Sequence, residues 1–183
     1  MLILASQSPR RRELLANAGI PFTVCPASLD ETVNDGELPE DYVKRLAEQK
    51  ALAIAGAPGD IVLGADTVVV IANQILGKPA GVADAIRMLH ALSGRKHEVI
   101  TGICLKGGGK LIADWAVTKV WFAQMSDTEI EQYVASGEPM DKAGAYAIQG
   151  MGSKFIERID GSYNNVVGLP VSLVYKYLKT LSA

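Results

Sequence analysis

Ser6-Gln7-Ser8-Pro9-Arg10-Arg11-Arg12 places three arginines where a helix should start. Ser8 suits an N-cap and Pro9 the first helical position, so the start of the helix is well specified. Cations there oppose the helix dipole by roughly 0.3–1 kcal/mol each, and the first backbone N–H groups still need acceptors. A bound anion answers both demands, taking the N–H groups, the Ser6 and Ser8 hydroxyls and one or more guanidinium forks together. A solvated basic first turn is the competing reading, and it suits Arg12 best. If the conflict exists only in the empty site, Arg11→Ala is expected to leave the ligand-free fold no less stable.

Asp66 lies in Ile61-Val62-Leu63-Gly64-Ala65-Asp66-Thr67-Val68-Val69-Val70-Ile71, an almost unbroken apolar stretch. An ionised carboxylate is rarely buried without a partner, so Asp66 is expected to face a cleft, a cation or both. A turn Asp between two strands is the alternative. Asp30-Glu31 follows the apolar run Phe22 to Cys25, and such a pair in a loop could hold Mg²⁺, which takes one or two protein carboxylates and completes its shell with water and phosphate oxygens. Lys50 and Lys78 could each neutralise phosphate, although a surface lysine by default does nothing. The small-residue segment Asp141-Lys142-Ala143-Gly144-Ala145-Tyr146-Ala147-Ile148-Gln149-Gly150 lets a backbone approach a ligand closely. Within it, Gln149 both donates and accepts, which matches the O4 acceptor and N3–H donor of uracil or thymine; a Gln satisfied by its own loop is the plainer reading.

Absent motifs narrow the field. No P-loop or GxGxxG fingerprint occurs, and neither His90 nor His97 has company suited to zinc. Both histidines read as structural or solvated. A net charge of -2 argues against a general nucleic-acid binder, and no apolar run reaches membrane-spanning length. Cys25 and Cys104 sit in apolar runs without CxxC spacing and read as buried thiols of a reducing, cytoplasmic compartment.

These groups need a scaffold, and the periodicity supplies one. Helices are predicted from about Pro9 to Ala18 with Gly19 as stop, from Pro39 to Ala55, from Val82 to Leu92, from a Ser126/Glu129 capping box to near Gly137, and from Pro170 to Leu181. Strands fall at Leu2–Ala5, Phe22–Cys25, Ile61–Ala65 continuing through Val68–Ile71, Glu98–Lys106, Leu111–Ala123 and Lys154–Ile159, with Lys106 to Lys110 as a hairpin turn. Alternating helices and strands followed by an antiparallel hairpin predict an α/β or α+β domain with a mixed sheet. Gly56-Ala57-Pro58-Gly59 reads as a turn, so residues 1–183 are expected to form a single domain.

Leu4-Ala5-Ser6-Gln7-Ser8-Pro9-Arg10-Arg11, Gly64-Ala65-Asp66-Thr67, Gly77-Lys78-Pro79, Leu92-Ser93-Gly94, Asp141 to Tyr146 and Gly161-Ser162-Tyr163-Asn164-Asn165-Val166-Val167-Gly168-Leu169-Pro170 together resemble the Maf family of nucleotide pyrophosphatases, in order and along essentially the whole chain. The resemblance implies a single mixed α/β domain with a deep cleft, related to the inosine triphosphate pyrophosphatases. It implies hydrolysis of a nucleoside triphosphate to monophosphate and pyrophosphate with a divalent metal, Mg or Mn. By the same resemblance Ser6, Arg11, Glu31, Lys50 and Lys78 contact substrate and Asp66 is the catalytic proton acceptor. Arg10, Thr67 and Gln149 match the branch acting on dTTP and UTP rather than the 7-methyl-GTP branch. Ala147 departs from the family's more frequent Gly beside that glutamine. The expected reaction aims a water at the α phosphorus, with Glu31 and Asp66 as metal ligands, the Ser8 helix start, Arg11, Lys50 and Lys78 on the phosphates, and a homodimer as a candidate assembly. The other readings are a non-catalytic nucleotide-binding regulator of cell division or septum formation, and a purine-directed or 7-methyl-GTP pyrophosphatase.

Overall fold

The apolar run at the N-terminus forms a short buried strand, β1 (Leu2–Leu4), in a computed structural model that describes residues 1–182. Helix α1 (Pro9–Asn17) follows at once, with Ser8 as N-cap and Pro9 in its first turn. β2 (Phe22–Val24) runs parallel to β1, and after a long loop helix α2 (Pro39–Leu52) leads into β3 (Ile61–Ile71), also parallel to β1. A short β4 (Gln74–Leu76) pairs antiparallel with the distal half of β3, across a turn in which Ala72 and Asn73 take positive φ. After helix α3 (Val82–Leu92) come β5 (Lys96–Gly107) and β6 (Lys110–Phe122), joined by Gly108-Gly109, both at positive φ. Then follow helix α4 (Asp127–Ala135), three 3-10 turns, β7 (Ile156–Asp160) antiparallel to β6, and helices α5 (Tyr163–Val167) and α6 (Val171–Ser182).

The strand order is β2-β1-β3-β5-β6-β7 with β4 at the side of β3, a mixed seven-stranded sheet as the sequence predicts. The predicted helices and strands are present; β3 and α3 keep their predicted ends, and the others shift by one to three residues. Helix α2 stops at Leu52 rather than Ala55, and β7 begins at Ile156 because a 3-10 turn occupies Met151–Phe155. The first and last helices also differ by one or two residues from the predicted bounds. β4 and α5 are too short to give a periodic signal.

The chain clusters into two compact units: Met1–Thr67 with Thr101–Ala116 and the chain from Gly168 onward, and Val68–Ile100 with Val117–Val167. The first has a core of Ile3, Ala5, Ala47, Ala51, Ile54, Val62 and Cys104. Small side chains on α2 matter here, because the helix backbone lies directly on the sheet. A Cβ at Gly64 would strike the Ala47 carbonyl oxygen, and one at Gly102 the Val43 carbonyl. The second unit packs α3 and α4 onto Val69, Val99, Val120 and Phe122, with Tyr146 and Phe155 filling the same core. Burial pushes the Cys104 thiol up to about 12. Cys25, expected to be buried, is exposed: β2 is a three-residue strand with an open outer face, so its apolar composition did not place it inside. No helix among the described residues is long and apolar enough to cross a membrane.

Candidate active site

Ser6, Arg11, Lys50 and Asp66 are all buried, four polar groups in a unit whose other buried residues are mostly apolar. Ser6, Arg11 and Lys50 lie at the ends of elements, and Asp66 lies in β3 just past its pairing with β1. Ser6 follows the carboxyl end of β1. Asp66 lies three residues beyond Leu63, where β3 stops pairing with β1, and the Ala5 N–H donates to the Leu63 carbonyl at 2.8 Å to close that edge. Glu31 sits in the loop after β2, and Lys50 in the last turn of α2. Carboxyl ends of parallel strands are where open α/β sheets bind ligands.

The Lys50 ammonium joins two carboxylates, 2.6 Å from Asp66 Oδ1 and 2.7 Å from Glu31 Oε1. Asp66 is therefore the paired, nearly buried carboxylate that its apolar surroundings demand, not a turn residue. Its second oxygen, Oδ2, bonds to no described residue. The close packing of α2 on Gly64 sets this geometry, because it brings the last helical turn against β3.

Arg11 is held by three neutral acceptors. Its Nε donates to the Gly168 carbonyl at 2.8 Å, Nη1 to Ser6 Oγ at 3.1 Å and Nη2 to Thr67 Oγ1 at 3.0 Å. Burial lowers its pKa from the ordinary value, while Asp66 and Glu31 pull the other way and Arg10 adds to the lowering. This corrects the expectation that the arginine conflict is uncompensated without a ligand: for Arg11, the compensation comes from the chain itself, 56 and 157 residues away in sequence. Gly168 takes φ +130°, a backbone setting that favours glycine, and so aims its carbonyl at Arg11. Ser8 caps α1 as predicted, accepting from the Arg11 N–H at 3.4 Å, and its own N–H donates to Ser6 Oγ at 3.2 Å. Arg12 turns outward and donates to the Gln7 carbonyl, the solvated fate expected of it. Arg10 is half-buried.

Tyr42 and Arg45 escaped the sequence reading. Tyr42 donates from its hydroxyl to the Glu31 carbonyl at 2.8 Å, and burial, with the negative charge of Asp66 and Glu31, pushes it up to about 12. Arg45 grips Glu37 with two N–H groups at 2.6 and 2.7 Å and donates to the Thr32 carbonyl at 3.0 Å. Asp30 turns back on Thr32 instead of joining Glu31. Tyr42, Arg45 and Lys50 all belong to α2, so this helix both holds the Glu31 loop and supplies the cation. The i, i+8 spacing of Tyr42 and Lys50 was the available signal.

Lys78 and Gln149 belong to the second unit. Both are exposed, and neither side chain hydrogen-bonds to a described residue. The Gly77 carbonyl accepts from the Gly144 N–H at 3.0 Å, which ties the Lys78 turn to the small-residue segment. His97 is buried against Phe122 and Tyr146, with Nε2 2.8 Å from the Tyr146 hydroxyl, and desolvation lowers it to about 4. It is structural, and His90 is half-exposed at a helix end, as the sequence indicates.

Glu31 and Asp66 offer hard oxygen donors that share one ammonium, a set that fits a cation of the Mg²⁺ type needing only one or two carboxylates. Among the described residues no group of three or more His, Cys, Asp or Glu gathers as a metal cage. Such an ion would draw the rest of its shell from water and ligand oxygens.

Fold and site define an α/β protein with a compact arginine, lysine and carboxylate cluster at the carboxyl edge of parallel strands. The chain belongs to the Maf family: the profile described as Maf-like protein matches residues 1–181. It is similar to a protein of Anaeromyxobacter dehalogenans named dTTP/UTP pyrophosphatase, 54% identical over 93% of this chain and 89% of that one. Proteins of the same name from Pseudoalteromonas atlantica and Geobacter sulfurreducens are each 52% identical over 100% of this chain and 97% of their own. Among solved structures, the Ham1 protein of Staphylococcus aureus (TM-score 0.54, 14% identity, 98% of both chains) and a HAM1 protein of Coxiella burnetii (TM-score 0.52, 20% identity, 98% of both chains) share the fold.

Proposed function

We propose that this protein is a nucleoside triphosphate pyrophosphatase that hydrolyses dTTP and UTP to the monophosphate and pyrophosphate, a clearance of the nucleotide pool. The names carried by relatives about half identical over the whole chain support the substrate. The observation that carries the chemistry is Asp66, a nearly buried carboxylate with one oxygen on Lys50 and the other bonded to no described residue.

Asp66 Oδ2 accepts a proton from the attacking water as its oxygen bonds to the α phosphorus, and the α–β bridging bond breaks to release pyrophosphate. Lys50 holds Asp66 and Glu31 in register and faces the negative charge that develops on the phosphates. The start of α1, with Ser6, Ser8 and the two Arg11 N–H groups not spent on the chain, takes phosphate oxygens. A divalent cation, Mg or Mn, would be held by Glu31 and Asp66 and would supply charge neutralisation across the phosphate oxygens. Lys78 adds a second phosphate cation, while Arg10, Thr67 and Gln149 read the nucleoside; the exposed amide of Gln149, bonded to no described residue, supports its part. Residues 1–183 act as one functional domain, a reading supported by the family match across both units.

Turnover of dTTP and UTP in ¹⁸O-labelled water tests the reaction. The label is expected in the monophosphate, as attack at the α phosphorus requires. Label in the pyrophosphate, or release of the diphosphate with free phosphate, contradicts it.

A further inference from the structure

We propose that Glu138, together with Tyr133, is a positioning residue for base recognition, stapling the segment that carries Gln149 and so fixing where its amide stands. The inference rests on the reading of Gln149 as the base-reading residue.

Gln149 has no hydrogen bonds of its own to a described residue, so its position depends on the backbone that carries it. That backbone is tied on both sides. Two residues before Gln149, the Ala147 N–H donates to the Tyr133 hydroxyl at 3.1 Å. Two residues after it, the Met151 N–H donates to Glu138 Oε2 at 2.9 Å, and the Gly152 N–H to Glu138 Oε1 at 3.1 Å. Tyr133 closes the loop by donating its hydroxyl to the same Oε1 at 2.7 Å. One carboxylate and one phenol thus bracket a six-residue segment from both ends.

The fit leaves no slack. A Cβ at Gly150 would run into the Glu138 carboxylate, and one at Gly152 would meet the Tyr133 hydroxyl at 2.6 Å and the Ala147 carbonyl at 2.8 Å. Glu138 itself is presented by a reversal at Gly137, φ +77°, which ends α4 and turns the carboxylate back toward the helix that carries Tyr133. Burial works to raise its pKa, but the Tyr133, Met151 and Gly152 hydrogen bonds, with Lys142 nearby, outweigh it and hold the carboxyl below the ordinary range. A merely solvated glutamate would neither accept three hydrogen bonds nor leave no room for a Cβ at Gly150. Replacement by glutamine turns an acceptor into an NH₂ group that faces a backbone N–H, so the staple breaks on one side while the side chain keeps its shape.

The test compares kcat/KM for UTP and CTP in wild type, Glu138→Gln, Tyr133→Phe, Gln149→Ala and the double variant Glu138→Gln/Gln149→Ala, each with the Mg²⁺ salt of the nucleotide. CTP replaces the O4 acceptor and N3–H donor of uracil while leaving the triphosphate alone, so the ratio reads the amide. Gln149→Ala should lower the ratio of kcat/KM for UTP to that for CTP about tenfold, the worth of one hydrogen bond. Glu138→Gln and Tyr133→Phe should lower it in the same direction, and the double variant should fall no further than Gln149→Ala alone. Faster hydrogen exchange at Met151 and Gly152 in Glu138→Gln should accompany the change. An intact ratio in both staple variants while Gln149→Ala lowers it, or equal losses on both nucleotides, overturns the proposal. An intact ratio in Gln149→Ala removes the underlying reading of the amide and the proposal with it. If Glu138→Gln fails to fold, Tyr133→Phe decides alone.

Discussion

Arg11 spends its Nε and one N–H from each terminal nitrogen on Gly168, Ser6 and Thr67, and keeps one N–H on each terminal nitrogen. Removal of the side chain leaves buried acceptors behind, so Arg11→Ala should lower ligand-free stability by about 2–4 kcal/mol, read from urea unfolding midpoints. Stability equal to wild type would mean that the guanidinium is held for ligand alone. The variant should also weaken triphosphate binding, because the two remaining donors go with it. At this scale the cap and dipole rules set only Arg12 aside, and the family resemblance singled out Arg11 without saying why. Cap and dipole rules are local, so they exposed a conflict at residues 10–12. Its resolution comes from Gly168 and Thr67, far along the chain, and no spacing rule reaches that far. Asp66 was legible for the opposite reason: a carboxylate in an apolar strand needs a cation wherever that cation comes from. That the cation is Lys50, shared with Glu31, had to come from the fold.

Helix α2 does three tasks at once, burying Val43, Leu46 and Ala47, holding the Glu31 loop through Tyr42 and Arg45, and placing Lys50. Its apolar face was readable from periodicity; the polar tasks were hidden, because Tyr42 and Arg45 look like ordinary members of an amphipathic helix. Beside the Glu37 carboxylate on Arg45, their partners are backbone carbonyls of a loop, which carry no sequence signature. The contact that sets the helix is Gly64 beneath the Ala47 carbonyl. Gly64→Ala should therefore push α2 off β3, costing about 1–3 kcal/mol by overpacking and lowering turnover of dTTP and UTP more than that loss of stability explains. Chemical denaturation paired with kinetics at a temperature where the variant is fully folded checks both. A variant with unchanged turnover would show that the placement of Lys50 does not depend on this contact.

For the molecule as a whole, the mixed sheet and the order of the larger elements were legible because alternating apolar runs and caps repeat along the chain. The short β4, the α5 turn and the 3-10 segments were not, since tertiary contacts rather than propensity hold them: Asn165 in α5, for example, donates to the Val99 carbonyl and Thr118 Oγ1, both at 3.0 Å. Global stability carries its own pH signature through His97. Its folded pKa of about 4 lies below the ordinary 6.5, so between these values the unfolded chain binds the proton and the native state does not. Stability should rise with pH across that window and flatten above it, a penalty at the acid end on the order of 3 kcal/mol. His97→Phe should abolish that slope in unfolding experiments from pH 4 to 7, and a slope retained in full would assign it elsewhere. Asp66 is the group on which the activation of water depends. Pyrophosphate release from dTTP and UTP by Asp66→Asn, with its fold verified by circular dichroism, is the most direct measurement: a fall in kcat of about 10²–10⁴ is expected, and turnover near that of the wild type would contradict it.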